Sequence, residues 1–357
     1  MKNLVLPRST GARIGLIAAV WILAITVSHL YLHREKHAPN LVRMGYMPVI
    51  SNLASPLVDY ATKGDDLHFE ALKFSSFSEM GEAFRSGHIQ AAFIIAPLAI
   101  ALFEQGVPLK IVYIGNRHES TMVVRHDIKC ESASDLRGKT IAVPIRYSGH
   151  YLAIGRYLRQ HGMDRSAVNI VEVPPPEMPA ALASAQIDGY FAGEPFAAKA
   201  LSDGSAKRFL NVESVWPKFI CNVLIVRNEL IRDHPQWVGE LVADAARSGI
   251  WAERHLHEAT KIVSGYWGQD PGSILYTFSH PPGRFRFDLY VPVAEELNEV
   301  FQEMRGEGLT VSAMSIGAIV EDRFARAVEQ DYSGAAEDVF SIKGGHETGP
   351  RTQVALP

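Results

Sequence analysis

The stretch Tyr147-Ser148-Gly149-His150-Tyr151 carries the residue types best suited to hold a charged small molecule. Ser148 falls at the expected start of a helix from Gly149 to Arg159, where its hydroxyl caps the first turn. The first N–H groups of such a helix have no partner within it, and with the helix dipole they favour an anion. Gly149 allows close approach to the backbone, Tyr147 and His150 offer side-chain donors, and Arg146 adds a cation just before them. A charge on His150 would matter around neutral pH. The structural alternative is a plain cap with an ordinary surface histidine.

Other candidates lie at the ends of expected strands. Pro48, Ser51 and Asn52 belong to the exit loop of the first strand, and Ser75-Ser76-Phe77-Ser78 offers hydroxyls at a helix start, with Ser78 the expected cap and Phe77 a shield. Ala96 and Pro97 would shape a wall. Asn116, Ser120 and Thr121 lie near the expected crossing between halves of the chain, with Arg117 beside them. Glu194, within Gly193-Glu194-Pro195, would repel an anion unless paired or protonated. Three roles stay open for it: binding a cation, holding a hinge, or accepting hydrogen bonds from a ligand amine or hydroxyl. Trp216 reads as an aromatic wall or as core, and Asn222 as a polar handle.

The elements that must position these groups alternate. Strands are expected over Leu41–Met47, Leu67–Leu72, Ala91–Ile95 and Leu109–Ile114, separated by single helices. The pattern restarts after Arg125, with strands at Thr140–Val143, Val168–Val173 and Ile187–Phe191. Ile220–Val226 reads as a strand returning to the first half, and Pro235–Glu258 as one long helix. Apolar runs rather than strict alternation point to mostly parallel sheets covered on both faces. The fold class is α/β with two lobes and a cleft between strand ends, where small ligands sit in open α/β sheets. The expected division is 41–125 for the first part of lobe 1, 126–220 for lobe 2 and 221–330 for the return to lobe 1 with C-terminal helices. Residues 331–357 read as a flexible tail.

Composition narrows the chemistry. The chain has 357 residues, 47% hydrophobic and 21% charged, with a net charge of −4, which suits a globular body and gives nucleic acid no basic patch. Two cysteines, Cys130 and Cys221, exclude a disulfide scaffold or a multi-cysteine metal site and leave open one disulfide or two buried thiols. No cofactor or metal is expected. The zinc-protease, nucleophile-elbow, dinucleotide and P-loop patterns are missing from the sequence, so enzymatic function is not expected and any ATP hydrolysis belongs to a partner. At the N-terminus, Lys2, Arg8 and Arg13 precede the apolar run Ile14–Leu32, and Arg34 and Lys36 follow it. About 20 apolar residues suffice to span a bilayer, so residues 1–40 read as a signal or anchor segment. No cysteine follows to take a lipid and no clean small-residue cleavage site is evident, which favours an uncleaved anchor in the inner membrane over a free periplasmic protein.

Several motifs in order resemble the substrate-binding components of ABC transporters of the nitrate/sulfonate/taurine/bicarbonate type. They are Gly45-Tyr46-Met47-Pro48, Ala96-Pro97-Leu98, the run from Asp135 through Pro144, Val173-Pro174-Pro175-Pro176-Glu177-Met178, Gln186-Ile187-Asp188-Gly189-Tyr190 and Gly193-Glu194-Pro195-Phe196. The resemblance covers roughly residues 41–260. It implies a hinged type II-like periplasmic-binding-protein fold that captures a small, anionic solute of the nitrate, sulfonate or bicarbonate type. It implies delivery to a membrane permease driven by a cytoplasmic ATPase. The opening loop Val49-Ile50-Ser51-Asn52-Leu53 departs from the nitrate-like pattern by lacking an acidic residue, and Arg146 and Arg117 are the only basic residues at the cleft turns. A neutral pyrimidine-type solute, a tethered solute sensor, and an enzyme on the same fold are the alternatives.

Overall fold

The computed structural model describes residues 18–26, 28, 40–311 and 313–331. Residues 18–26 are helical, with Val20, Trp21, Ile22, Leu23 and Ile25 exposed, and belong to a separate unit. No helix among the described residues is long and apolar enough to cross a membrane. The expected basic flanks of the N-terminal run and the tail beyond residue 331 lie outside the described residues.

Among the described residues ten strands form the body: β1 (Leu41–Tyr46), β2 (His68–Lys73), β3 (Ala91–Ile95), β4 (Leu109–Arg117), β5 (Ser120–Arg125), β6 (Thr140–Val143), β7 (Asn169–Glu172), β8 (Gly189–Gly193), β9 (Ala206–Asn211) and β10 (Ile220–Arg227). They make two five-stranded sheets, ordered β2-β1-β3-β10-β4 and β7-β6-β8-β5-β9. Fully apolar Ala91–Ile95 is buried along its whole length, as a central strand covered on both faces requires.

The sheets are mixed rather than mostly parallel. β1 runs parallel to β3, and β6 parallel to β7 and β8, whereas β10 is antiparallel to β3 and β4, and β5 to β8 and β9. Parallel neighbours need a crossover helix between them. β5 arrives directly from β4 with no helix between them, and β10 follows β9 after only the short 3-10 turn Val212–Ser214. For the same reason the second sheet begins at Ser120, not after Arg125 as the sequence suggested.

The helices are α1 (Ala54–Thr62), α2 (Phe77–Arg85), α3 (Ala96–Glu104), α4 (Gly149–Gln160), α5 (Met178–Ala183), α6 (Phe196–Ser202), α7 (Asn228–Asp233), α8 (Pro235–Arg254), α9 (Leu256–Trp267), α10 (Pro271–Ser279), α11 (Ala294–Gly306) and α12 (Arg323–Asp331). The single long helix expected from Pro235 breaks at His255, whose φ of −127° and ψ of 51° are not helical.

Among the described residues three cores hold these layers. One joins Met44, Phe93 and Leu224 to Val238, Leu241 and Ala245 of α8 on the outer face of the first sheet. A second joins Tyr190 and Ala192 to Met178 and Leu182 of α5 on the outer face of the second. The third is continuous between the lobes, taking in Ile94, Ile225, Ile141, Phe191 and, from α11, Phe301 and Met304. Helix α11 is pinned to the first lobe on both sides: Ile114 donates its N–H to the Tyr290 carbonyl (2.8 Å), and Ile111 to that of Ile319 (2.8 Å). Its glutamates Glu299 and Glu303, with Glu307 just beyond, meet Arg156, Arg159 and Arg165 of the second lobe.

Candidate functional site

The two sheets meet where β4 turns into β5 through His118 and Glu119. His118 adopts a φ of 61°, in the left-handed region. The loop after β1 lies against this crossing. A Cβ at Gly115 would stand 2.3 Å from the Ser51 carbonyl oxygen, so only glycine permits the approach. From that loop the Ile50 N–H donates to the Glu194 carbonyl at the end of β8 (2.9 Å), which puts the two lobes in direct contact.

A buried polar cluster fills the junction. The Ser51 hydroxyl (3.0 Å) and the Cys221 thiol (2.9 Å) both donate to Glu119 Oε1. Ser120 Oγ lies 3.6 Å from Cys221 Sγ and 2.8 Å from His150 Nε2. Asn222 donates to Asn52 Oδ1 (2.5 Å), and Asn52 donates to the Met47 carbonyl (3.1 Å). Thr121 donates to Glu194 Oε1 (2.7 Å), while Glu194 Oε2 accepts the Ala198 N–H of α6 (2.8 Å). Arg284 reaches in from the segment before α11. It donates to Thr121 Oγ1 (2.7 Å) and Glu213 Oε1 (2.9 Å), and stands 3.6 Å from Glu194 Oε1.

Burial dominates the electrostatics. It pushes the Glu119 carboxyl up to about 7, with the Glu194 charge adding, against hydrogen bonds from Cys221 and Ser51 and the pull of Arg284. It pulls His150 down to about 3, so the imidazole is neutral. Glu194 is raised by burial and opposed by Thr121 and Arg284. Burial, then the neighbouring Glu119, lifts the Cys221 thiol well above its ordinary value, so it is protonated and a poor nucleophile. Cys130 and Cys221 are both free and buried, which settles the disulfide alternative.

Some buried atoms here have no hydrogen-bond partner: Glu119 Oε2, His150 Nδ1, both amide atoms of Asn116, and Trp216 Nε1. Buried polar groups are nearly always paired, and further unpaired buried atoms, among them Ser55 Oγ, Ser248 Oγ and Trp267 Nε1, lie away from the junction.

Of the residues singled out from sequence, Ser51, Asn52, His150, Glu194 and Asn222 meet at this junction. Ser148 caps α4 as expected, accepting the Tyr151 N–H (3.2 Å). Gly149 has another reason to be glycine: a Cβ there would stand 2.7 Å from the Phe219 ring. Tyr147 donates to the Leu309 carbonyl (3.4 Å), and Trp216 packs edge-on against Phe219, both at the inner core. The cap of α2 is Ser76, not Ser78, because Phe77 is buried as the helix's first residue. Ala96 and Pro97 are buried in the first turn of α3, and the Pro48 carbonyl accepts from Gln269 (3.2 Å). Of the two basic residues expected at the cleft, Arg146 is exposed, with its guanidinium 5.8 Å from the centre of the Tyr151 ring, and Arg117 is bound to Glu296 (2.5 Å). The junction's cation is Arg284, which the sequence reading missed together with Glu119 and Cys221. Among the described residues no group of three His, Cys, Asp or Glu could hold a metal ion.

Comparison with known proteins agrees with this architecture. The taurine-binding periplasmic protein of Escherichia coli is 24% identical over 66% of this chain and 77% of its own length. The periplasmic nitrate-binding protein of Synechocystis PCC 6803 superposes with a TM-score of 0.75 at 14% identity, covering 85% of this chain and 91% of that one. The alkanesulfonate-binding protein of Xanthomonas axonopodis pv. citri, bound to MOPS, superposes with a TM-score of 0.68 at 18% identity, covering 79% and 98%. At such identities the two structures establish the fold. The family model described as NMT1-like matches residues 35–264, and the chain belongs to that family, with the open-sheet, two-lobed type II substrate-binding-protein fold.

Proposed function

We propose that the protein is an extracytoplasmic receptor that binds one small anionic solute of the sulfonate, nitrate or taurine class and presents it to an ABC importer. The observation that carries this reading is the set of buried, unpartnered polar side chains at the lobe junction, where a hinged receptor closes on its solute. Ser51, Asn52, Asn116, Glu119, His150 and Asn222 are the residues assigned to the site, with the first turn of α4 behind Ser148 beside them. Glu194 is assigned to the hinge, since its oxygens are taken by Thr121, Arg284 and Ala198. The permease and ATPase are the partners the family implies. The apolar run at residues 14–32 supports a tether to the cytoplasmic membrane, which a detergent requirement for extracting the full-length chain would test. A neutral pyrimidine-type solute is the second reading, favoured by the commitment of Arg284 to Glu194 and Glu213.

A thermal-shift and calorimetric panel of nitrate, bicarbonate, taurine, ethanesulfonate and an aminopyrimidine tests the proposal. A ligand at a hundred times its Kd adds about 2.7 kcal/mol, which raises the melting temperature by about 5 °C. A shift with an anion supports the first reading and a shift with the pyrimidine alone the second. No response to any of the five overturns both.

A further inference from the structure

The two buried arginines at this junction, Arg117 and Arg284, are both committed to carboxylates. Arg284 is shared between Glu194 and Glu213, and Arg117 is bound to Glu296. Yet Glu119 is fully buried there, with Oε1 accepting from Ser51 and Cys221 and Oε2 without a partner. Ionised, such a group would pay heavily in lost hydration and would repel an anion. Protonated, it is a donor with nothing to donate to. The His150 ring, edge-on to Phe191 and Phe219, is in the same position: Nε2 meets Ser120 and Nδ1 has no partner. The two groups belong to one chain of contacts, from Glu119 to Cys221 (2.9 Å), to Ser120 (3.6 Å), to His150 (2.8 Å). The carboxyl also rests against Gly193, where a Cβ would stand 2.4 Å from Oε1.

We propose that the solute's anionic oxygens are held by neutral donors, the carboxylic acid of Glu119 and the Nδ1–H of His150, so that the anion binds together with one proton on Glu119. This rests on the receptor reading above and specifies its chemistry. In this arrangement Ser120 is the donor to Nε2, which puts the His150 proton on Nδ1, and the Glu119 proton sits on Oε2. Buried neutral donors match a weakly hydrated anion without adding a charge that must itself be desolvated.

The groups facing Glu119 decide which proton is counted. Cys221 from β10 is held as a thiol, and His150 from α4, through Ser120, is neutral down to about 3. Glu194 at the end of β8 is opposed by Arg284, which Glu213 also holds. Glu119, raised to about 7, is the member that titrates near neutrality. The sign follows: below that value the acid is protonated and affinity is full. Above it, every unit of pH approaches a tenfold loss, because the proton must be taken up on binding.

The test uses the full chain with nitrate and ethanesulfonate, whose charges do not change over the range. Isothermal titration should show Kd about 30-fold weaker at about pH 8.5 than at about pH 6. Heats in buffers of different ionisation enthalpy should report uptake of about one proton per solute at the higher pH and almost none at the lower. Glu119→Gln keeps a neutral donor and should bind with neither the slope nor the uptake. Binding whose affinity is flat with pH, or that takes up no proton, overturns this proposal and leaves the receptor reading standing, as does a Glu119→Gln protein with the wild-type slope. Failure of both anions to bind at any pH overturns the anion-receptor reading as well.

Discussion

Two polar regions join the lobes, and they are built on opposite principles. At the junction, charge is either matched inside the protein, as for Arg284 with Glu194 and Glu213, or suppressed, as for Glu119. Along α11, charge is abundant and ranges from the nearly buried Glu307 to the half-exposed Arg159. Arg156 meets Glu299 (2.6 Å) and Glu303 (3.4 Å), Arg165 meets Glu307 (2.9 Å), and Arg159 meets both Glu303 and Glu307. Glu299, Glu303 and Glu307 recur every four residues, so they line one face of the helix. In that ladder each named charge has a partner, although Arg165 Nη2 is itself buried without one. At the junction, several buried atoms have none. Satisfied pairs under solvent hold two bodies together at low cost and low gain, whereas unmet capacity in a dry site is costly unless a ligand completes it.

The largest expected effect comes from breaking the buried pairing. Arg284→Met would leave Glu194 buried without its cation and is expected to cost about 3–5 kcal/mol in urea unfolding. Adding Glu194→Gln should recover part of that loss. A single-variant loss below about 1 kcal/mol would contradict the assignment of Arg284 as the internal counter-ion.

A smaller effect sharpens the same region by shape. Gly193→Ala would place its Cβ 2.4 Å from Glu119 Oε1, so the carboxyl or the strand must move. Overpacking of this kind is expected to cost about 1–3 kcal/mol, read as a lowered melting temperature. Solute affinity should fall more than stability alone explains, because the displaced group is the one assigned to the solute. Unchanged affinity would detach Glu119 from the site.

Local patterns carried much of the architecture. The apolar run of β3, the Ser148 cap and the return strand β10 all depend on residues close in sequence, and their physics is local. What failed was non-local. β5 and β9 were not read as strands, since their places depend on how the chain crosses between sheets. Ser76 and Ser78 offer the same hydroxyl, and burial of Phe77 decides between them. Arg284 contacts Ser120 across 164 residues, and no spacing rule reaches that far. Its one trace is the alternation Arg284-Phe285-Arg286-Phe287, in which Phe285 and Phe287 are buried. Asn116, Ser120 and Thr121 were legible as polar residues near the crossing. Glu119 between them was not singled out, and the objection raised for Glu194, that a carboxylate repels an anion, holds only while the group is ionised.

The ladder is where the smallest effect is expected. Glu303 serves Arg156 and Arg159 with 17% of its side chain exposed, while Arg159 is 48% exposed, so solvent and salt weaken both pairs. Glu303→Gln should therefore cost about 0.5–1 kcal/mol at low ionic strength, and the difference from wild type should largely vanish near about 1 M salt, where the Debye length is about 3 Å. Because α11 is fixed to β4 while its glutamates pair with the second lobe, the loss should favour opening and weaken solute binding by no more than the same free energy, about five-fold. A calorimetric Kd changed more than tenfold, or a stability loss unmoved by salt, would mean that the ladder belongs to the binding machinery, and that the division between holding and binding regions is drawn in the wrong place.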